Sequence, residues 1–243
     1  MKFTVYVEGQ SEMLFVADVL QKYSNYEPEE CGFYCINLVA DIYDKVPYPS
    51  QGSIESKNFY QIINTNNDTL VNTRLRKDSA RLKENGYDII IGLRDAYGEE
   101  YQRLMTNARV VDIERIAFLH SIQTNAINAK DIDCRLHFAI MEFETWILAL
   151  IENYINRKGY DPIETFDKYN IIDDLENIYH PYPLVQKIFE LCDDSYHKHK
   201  SDTYTFLSTL SVDDYENLRT SGRCPSFTKF IDSLFGAPCP SLP

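Results

Sequence analysis

Long apolar runs are missing from this sequence. No segment of the 243 residues approaches the roughly 20 consecutive apolar residues that a membrane-spanning helix requires. The first residues form a short strand-like run without the apolar stretch and small-residue cleavage site of a secretory signal, so a cytoplasmic protein is expected. Cysteines are few and show no paired spacing. Cys31 and Cys35 stand four apart, while Cys134, Cys192, Cys224 and Cys239 are scattered, and no second pair or histidine pair completes a zinc site. They are expected to be small hydrophobes of a reducing compartment, mostly buried. Basic residues are also scarce: 24 Lys+Arg against 37 Asp+Glu give a formal charge of −13, which opposes loose binding to nucleic acid by phosphate neutralisation. The P-loop, the dinucleotide glycine fingerprint, the G-x-S-x-G elbow and the H-E-x-x-H helix are all absent. Gly9-Gln10-Ser11 is too short for a phosphate cradle of the Walker type. These absences exclude the usual ATPase, dehydrogenase and serine hydrolase signatures.

What is present fits an α/β chain with a real core, since 44% of the residues are hydrophobic and 13% aromatic. Lys2 to Val7 is a β-branched and aromatic run that stops at Glu8-Gly9, the pattern of a buried strand. Ser11 is placed to cap the following helix, whose apolar face is Met13, Phe15, Val16, Val19 and Leu20. Gly32 to Ala40 reads as a second strand, and Asp41 to Lys57, with Pro47, Pro49 and Gly52, as an irregular loop. Phe59 to Glu84 reads as mostly helical with a break at Asn64 to Asp68. Tyr87 to Leu93 is the clearest buried strand. A helical stretch follows from Glu100 to Phe118, then a strand from Arg135 to Met141 and a helix from Thr145 to Tyr154. Such alternation predicts a mostly parallel sheet flanked by helices over residues 1–157. From about Gly159 strand signals fade, so 158–243 is expected to be a mainly helical extension packed on the core, with Ala237 to Pro243 a loose tail.

In open parallel sheets the loops at the carboxyl ends of strands make the binding crevice. Three expected strand ends carry carboxylates: Glu8 with Glu12, Asp95, and Glu142 with Glu144. If the last strand continued to Glu144, alternation would put Glu142 and Glu144 on one face. Gathered carboxylates repel, and Mg²⁺ or Mn²⁺ is the usual remedy because hard cations take oxygen ligands. His197-Lys198-His199-Lys200 is the most basic spot, suited to contact a phosphate, to share a metal between its two histidines on an extended segment, or to stand in solvent as a loop or helix end. Arg74, Arg76, Lys77, Arg81 and Lys83 fall on more than one helix face and read as solvated surface. Arg94, beside Asp95, is expected to pair with a carboxylate.

The ordered motifs resemble a family. Val7-Glu8-Gly9-Gln10-Ser11-Glu12 resembles the opening motif of Toprim domains in the overcoming-lysogenization-defect nucleases. Ile91-Gly92-Leu93-Arg94-Asp95 resembles their second motif. Phe138 to Trp146, Tyr196-His197-Lys198 and Cys224 to Phe230 are similar to segments of the bacterial Toprim-like family catalogued as domain of unknown function 4276. The resemblance runs through nearly the whole chain. It implies a Toprim-like sheet, with Glu8, Glu12, Asp95, Glu142 and Glu144 as Mg²⁺ or Mn²⁺ ligands and Lys198 beside the scissile phosphate. It further implies a nuclease acting on DNA or RNA, paired with an ATPase in bacterial defence. Against the family pattern, Asp-x-Asp of the second motif is reduced to Asp95 alone, with Leu93 and Tyr97 at the flanking positions; Glu99 and Glu100 are possible substitutes. The alternatives are a Toprim module that keeps the fold as an interaction or regulatory subunit, and a metal-assisted phosphotransfer on a small nucleotide.

Overall fold

The computed structural model describes residues 1–104, 110–129 and 132–235. Six strands form one sheet: β1 (Lys2–Val7), β2 (Cys31–Val39), β3 (Ile42–Gln51), β4 (Asn58–Asn64), β5 (Ile89–Asp95) and β6 (Asp133–Ala139). Their spatial order is β3-β2-β4-β1-β5-β6, all neighbours parallel except the antiparallel β2–β3 pair. The chain is thus α/β with a mostly parallel sheet between helices, an arrangement compatible with a Toprim-like fold.

One face of the sheet is covered by α1 (Gln10–Tyr23), α5 (Glu144–Arg157) and the later helices α6 (Pro162–Tyr169), α7 (Tyr182–Leu191), α8 (Lys200–Leu207), α9 (Val212–Ser221) and α10 (Pro225–Leu234). The other face carries α2 (Asp68–Glu84), α3 (Glu99–Leu104) and α4 (Ile113–Ile127). Alternation in the strands feeds the two layers. Val5 and Val7 of β1 enter the first core, while Tyr6 enters the second and donates to Asp78 of α2 at 2.6 Å. The first core centres on Trp146, whose ring packs against Phe15, Phe143, Phe227 and Phe230 and whose indole N–H donates to Ser226 at 2.9 Å. This cluster joins α5 to α10, so the helices beyond residue 158 share one core with the sheet.

Several sequence expectations need correction. Asp41 to Lys57 is largely β3 and not an irregular loop. Ala40 and Asp41 both sit in the left-handed region, at φ 49° and 64°, the two-residue geometry that closes a hairpin. Pro47 and Pro49 fall where the register with Tyr34 and Cys35 shifts, so neither has to supply a ladder N–H. Phe59 to Asn64 is a strand, not helix. It is inserted between β2 and β1 and paired to both, and a short apolar run buried this way has no period by which to tell it from a helix. The expected helix from Glu100 to Phe118 is two helices, α3 and α4, with 105–109 outside the described residues. Ser11 is not the cap of α1. Gly9 takes that place, and the Ser11 hydroxyl instead lies 2.9 Å from Thr203 Oγ1 of α8. Cys31, Cys35, Cys192 and Cys224 are buried free thiols and Cys134 is half-buried. Cys239 and Ala237 to Pro243 lie outside the described residues. No helix among the described residues is long and apolar enough to cross a membrane.

Candidate functional site

The topology selects one end of the sheet. From β1 the chain crosses by α1 on one face toward β2, while β4 returns by α2 on the other face to β5, which pairs with β1 on the opposite side. The carboxyl end of β1 is therefore the point where the winding reverses, and loops leaving there in opposite directions open a crevice. Glu8 follows β1, Asp95 ends β5 and the turn after β6 carries Glu142 and Glu144, so the expected carboxylates come from three adjacent strands.

Backbone amides tie them together. The Asp95 N–H donates to Glu8 Oε2 at 3.1 Å, and the Asp95 Oδ1 accepts the Phe143 N–H at 2.7 Å. Asp95 thereby couples the β1 loop to the turn that opens α5. Gly9 has an extended backbone, φ −142° and ψ −176°. A Cβ added there would stand 2.9 Å from Glu12 Oε2, so the absent side chain leaves room for the Glu12 carboxylate. Glu142 and Glu144 do not converge by strand alternation, because β6 ends at Ala139. Met141 turns the chain at φ 63° and Glu144 becomes the first residue of α5.

Lys198 closes the arrangement from the loop between α7 and α8. Its Nζ lies 2.7 Å from Glu144 Oε2 and 3.7 Å from Glu142 Oε1, and it stands 4.7 Å over the Tyr182 ring. Tyr196 donates to Glu144 Oε1 at 3.0 Å, and His180 Nδ1 is 3.0 Å from Glu142 Oε1. The loop is held in place: the His197 N–H donates to Asp202 at 2.8 Å, and the contact between Ser11 and Thr203 fixes α8 to the start of α1.

The electrostatics follow from this crowding. Burial pushes the Asp95 carboxyl well above the usual carboxylate range, and the charges of Glu8, Glu12 and Glu144 push it further. Burial, then Glu8, raises Glu12 to about 8. Glu8 is raised by burial, against the lowering effect of the Asp95 N–H. Glu144 is raised by burial, against the opposing pull of Lys198. Lys198 is itself disfavoured as a cation by burial, yet Glu144 and Glu142 hold its pKa above the ordinary lysine value. Burial is the leading cause for each of these carboxyls, and repulsion from neighbouring carboxylates adds to it for Asp95 and Glu12.

Five carboxylates and no soft donor suit a hard cation such as Mg²⁺ or Mn²⁺. As placed, the side chains are not gathered into a cage. Among the described residues no group of three or more His, Cys, Asp or Glu side chains stands closely enough to hold an ion.

Glu99 and Glu100 do not substitute for the absent second aspartate. Glu99 pairs with Arg103 at 2.6 Å, and Glu100 faces Arg94 at 3.6 Å and accepts from Gln123. Leu93 is buried in the first core and the Tyr97 hydroxyl meets Tyr179 at 2.9 Å. Arg94 pairs with Asp68 at 3.1 Å, as expected of it. On α2, Arg74 pairs with Asp41 and Arg81 lies 3.4 Å from Asp78, while Arg76, Lys77 and Lys83 are exposed. His180 and Tyr182 had no signal in the sequence: they follow a short 3-10 turn at Leu175–Asn177 and reach the site only through tertiary packing. No protein-family model, no curated protein sequence and no solved structure matches this chain.

Proposed function

We propose that this chain is a metal-dependent phosphodiesterase of the Toprim kind, cleaving DNA or RNA with Mg²⁺ or Mn²⁺ at its acidic crevice. One observation carries the reading: carboxylates from three adjacent strand ends are brought to one end of the sheet beside a lysine, tied together by the Asp95 hydrogen bonds to Glu8 and Phe143. To hold an ion, Glu8, Glu12 and Asp95 would have to draw together from the positions described above, with Glu142 and Glu144 across from them. When bound, such an ion activates water and offsets charge on the departing oxygen. The residues supply the rest. Asp95 fixes Glu8 and the α5 turn in register through its two backbone hydrogen bonds. Lys198, with its side chain 39% exposed, presents ammonium protons to a phosphate oxygen, where charge develops as the water O–P bond forms and the ester P–O bond breaks.

The net charge of −13 places the grip on nucleic acid elsewhere. The family resemblance suggests an ATPase partner in a bacterial defence system, and the free thiols agree with a cytoplasmic setting.

The test is Mn²⁺ binding followed by cleavage of single- and double-stranded DNA and of RNA, for wild type and Glu8→Ala. Binding and cleavage that the substitution removes support the reading; a folded protein that binds no Mn²⁺ at millimolar concentration overturns it. A second reading, a Toprim module retained as an interaction or regulatory subunit, is favoured by the ungathered carboxylates and by the lone Asp95. It expects no metal binding and no cleavage.

A further inference from the structure

Cations are scarce in a chain with 24 Lys+Arg against 37 Asp+Glu, and a set of them gathers on one surface away from the acidic crevice. On α2, Arg74, Lys77 and Arg81 stand three and four residues apart and share one stripe of the helix. Arg76 and Lys83, seven apart, border that stripe. Beside it lies β3, the edge strand of the sheet. Tyr43 and Lys45 of β3, two apart, point to the face that α2 covers. The guanidiniums of Arg74 and Arg81 lie 6.0 and 5.5 Å from the centre of the Tyr43 ring, and the Lys45 ammonium lies 4.5 Å from that of Tyr34. Cations from a helix and a strand thus stand over a floor of two tyrosines.

The acids of these elements do not cancel the stripe. Asp78 is buried and accepts both the Tyr6 and the Tyr43 hydroxyls, at 2.6 and 2.7 Å. Arg81, 3.4 Å from it, keeps 52% of its side chain exposed. Asp44 alternates to the other face of β3, and Asp41 is taken by Arg74. Lys45, Arg76, Lys77 and Lys83 have no ion pair among the described residues, and all four are exposed.

The stripe also has a place relative to the crevice. Strands β2 and β4 run parallel to β1, so the hairpin tip at Asp41 and the start of α2 stand at the same end of the sheet as Glu8. Asp68, the first residue of α2, pairs with Arg94, the neighbour of Asp95. From there the helix carries Arg74, Lys77 and Arg81 away along the sheet. Arg74 to Arg81 is a rise of about 10 Å, the axial span of about three phosphates of one strand. Guanidiniums and ammoniums in such a row suit phosphate oxygens, and their charge complements a polyanion that the crevice itself repels.

We propose that the α2 stripe, with Lys45 of β3, is the surface that holds the phosphate backbone of a nucleic-acid strand and leads it to the crevice. This rests on the reading of the chain as acting on nucleic acid.

The experiment is fluorescence anisotropy of a labelled oligothymidylate against the full-length chain, in EDTA and over a series of salt concentrations. Wild type is compared with the double variant Lys45→Glu with Lys77→Glu, and with Lys187→Glu on α7, an exposed lysine on the opposite face of the sheet. Circular dichroism checks each fold. Wild type is expected to bind with an affinity that falls as salt rises. The double variant should lose about 10-fold or more and lower the salt slope by about 2, while Lys187→Glu stays near wild type. If the double variant does not fold, Lys77→Glu alone decides in the same direction. No binding by folded wild type overturns the inference, as does an equal loss in Lys187→Glu, which would report overall charge and not this surface. An oligoglutamate peptide that binds the stripe more tightly than the oligonucleotide assigns it to an acidic protein and likewise overturns the inference. Because EDTA excludes metal, these outcomes leave the metal-dependent reading to its own Mn²⁺ test.

Discussion

The Asp95 N–H donates to the Glu8 carboxylate at 3.1 Å, across 87 residues of sequence. Two strands paired in parallel register, with Val7 opposite Leu93, bring them there, and the bond leaves the second Glu8 oxygen available. Glu8 is therefore both a structural acceptor and a candidate ligand, and the two roles can be separated. Glu8→Gln keeps an oxygen for the Asp95 amide and is expected to hold the wild-type melting temperature while losing Mn²⁺ binding. Calorimetric titration beside a thermal melt checks it; unchanged affinity in Glu8→Gln argues against Glu8 as a ligand.

Gly9→Ala addresses Glu12 without touching its charge. A Cβ 2.9 Å from Glu12 Oε2 must push the carboxylate aside, and displacing a ligand in this way is expected to weaken Mn²⁺ binding by about 10-fold or more. The backbone at Gly9 is extended and open to alanine, so the stability cost should stay near that of a lost N-cap, about 1 kcal/mol. Denaturant titration and Mn²⁺ calorimetry on one preparation give both numbers, and an unaltered Kd would remove the spatial argument.

Acidity should act on the crevice in a defined direction. Glu12, with its pKa moved from 4.5 to about 8 by burial and by Glu8, keeps its proton in the fold after the unfolded chain has lost it. Its contribution to metal-free stability is complete below about pH 4.5 and is lost as pH rises toward about 8. A divalent ion needs the carboxylate form. Mg²⁺ affinity should therefore rise from pH 6 to pH 8 with proton release, read as a buffer-dependent heat of binding. Affinity that is flat with pH would place the ion away from Glu12.

His137 should give the opposite slope at lower pH. Burial lowers its pKa from 6.5 to about 3, helped by the charges of His120, Arg135 and Lys229. Below pH 6.5 the unfolded chain takes up a proton that the fold refuses, so this residue costs stability progressively as pH falls toward about 3. The ring packs edge-on against Phe230. His137→Phe is expected to flatten the loss of melting temperature between pH 6.5 and pH 4 relative to wild type; parallel curves would show that the ring does not stay neutral.

Trp146 is fully buried and its four aromatic neighbours come from α1, the α5 turn and α10. Trp146→Ala should cost about 3–5 kcal/mol and Trp146→Phe clearly less, since the larger part of the volume is kept. Urea unfolding followed by circular dichroism measures both. A loss below about 1 kcal/mol for alanine would show that α10 is not fastened through this ring.

The sequence by itself determined the local elements whose cause is local. Buried runs such as Tyr87 to Leu93 declare a strand, and a carboxylate directly after such a run, as at Glu8 and Asp95, is placed at the sheet end by chain connectivity alone. Alternation of strands with amphipathic helices then determined a mostly parallel sheet covered on both faces. Tertiary structure decided the rest. Whether Phe59 to Asn64 is strand or helix depended on vacant ladder positions of β1 and β2, which no window of sequence contains. The hairpin at Ala40 and Asp41 depended on two left-handed residues that are neither glycine nor asparagine. Glu142 and Glu144 were expected to meet by strand alternation and instead meet through the turn at Met141, because the α5 terminus and Lys198 draw them together. Tyr182, at the start of α7, meets Glu142 from 40 residues further along the chain, and His180 meets it from the loop just before that helix. Side chains that meet only when separate layers pack leave no periodic trace in the chain, since the forces that bring them together act across the fold and not along it.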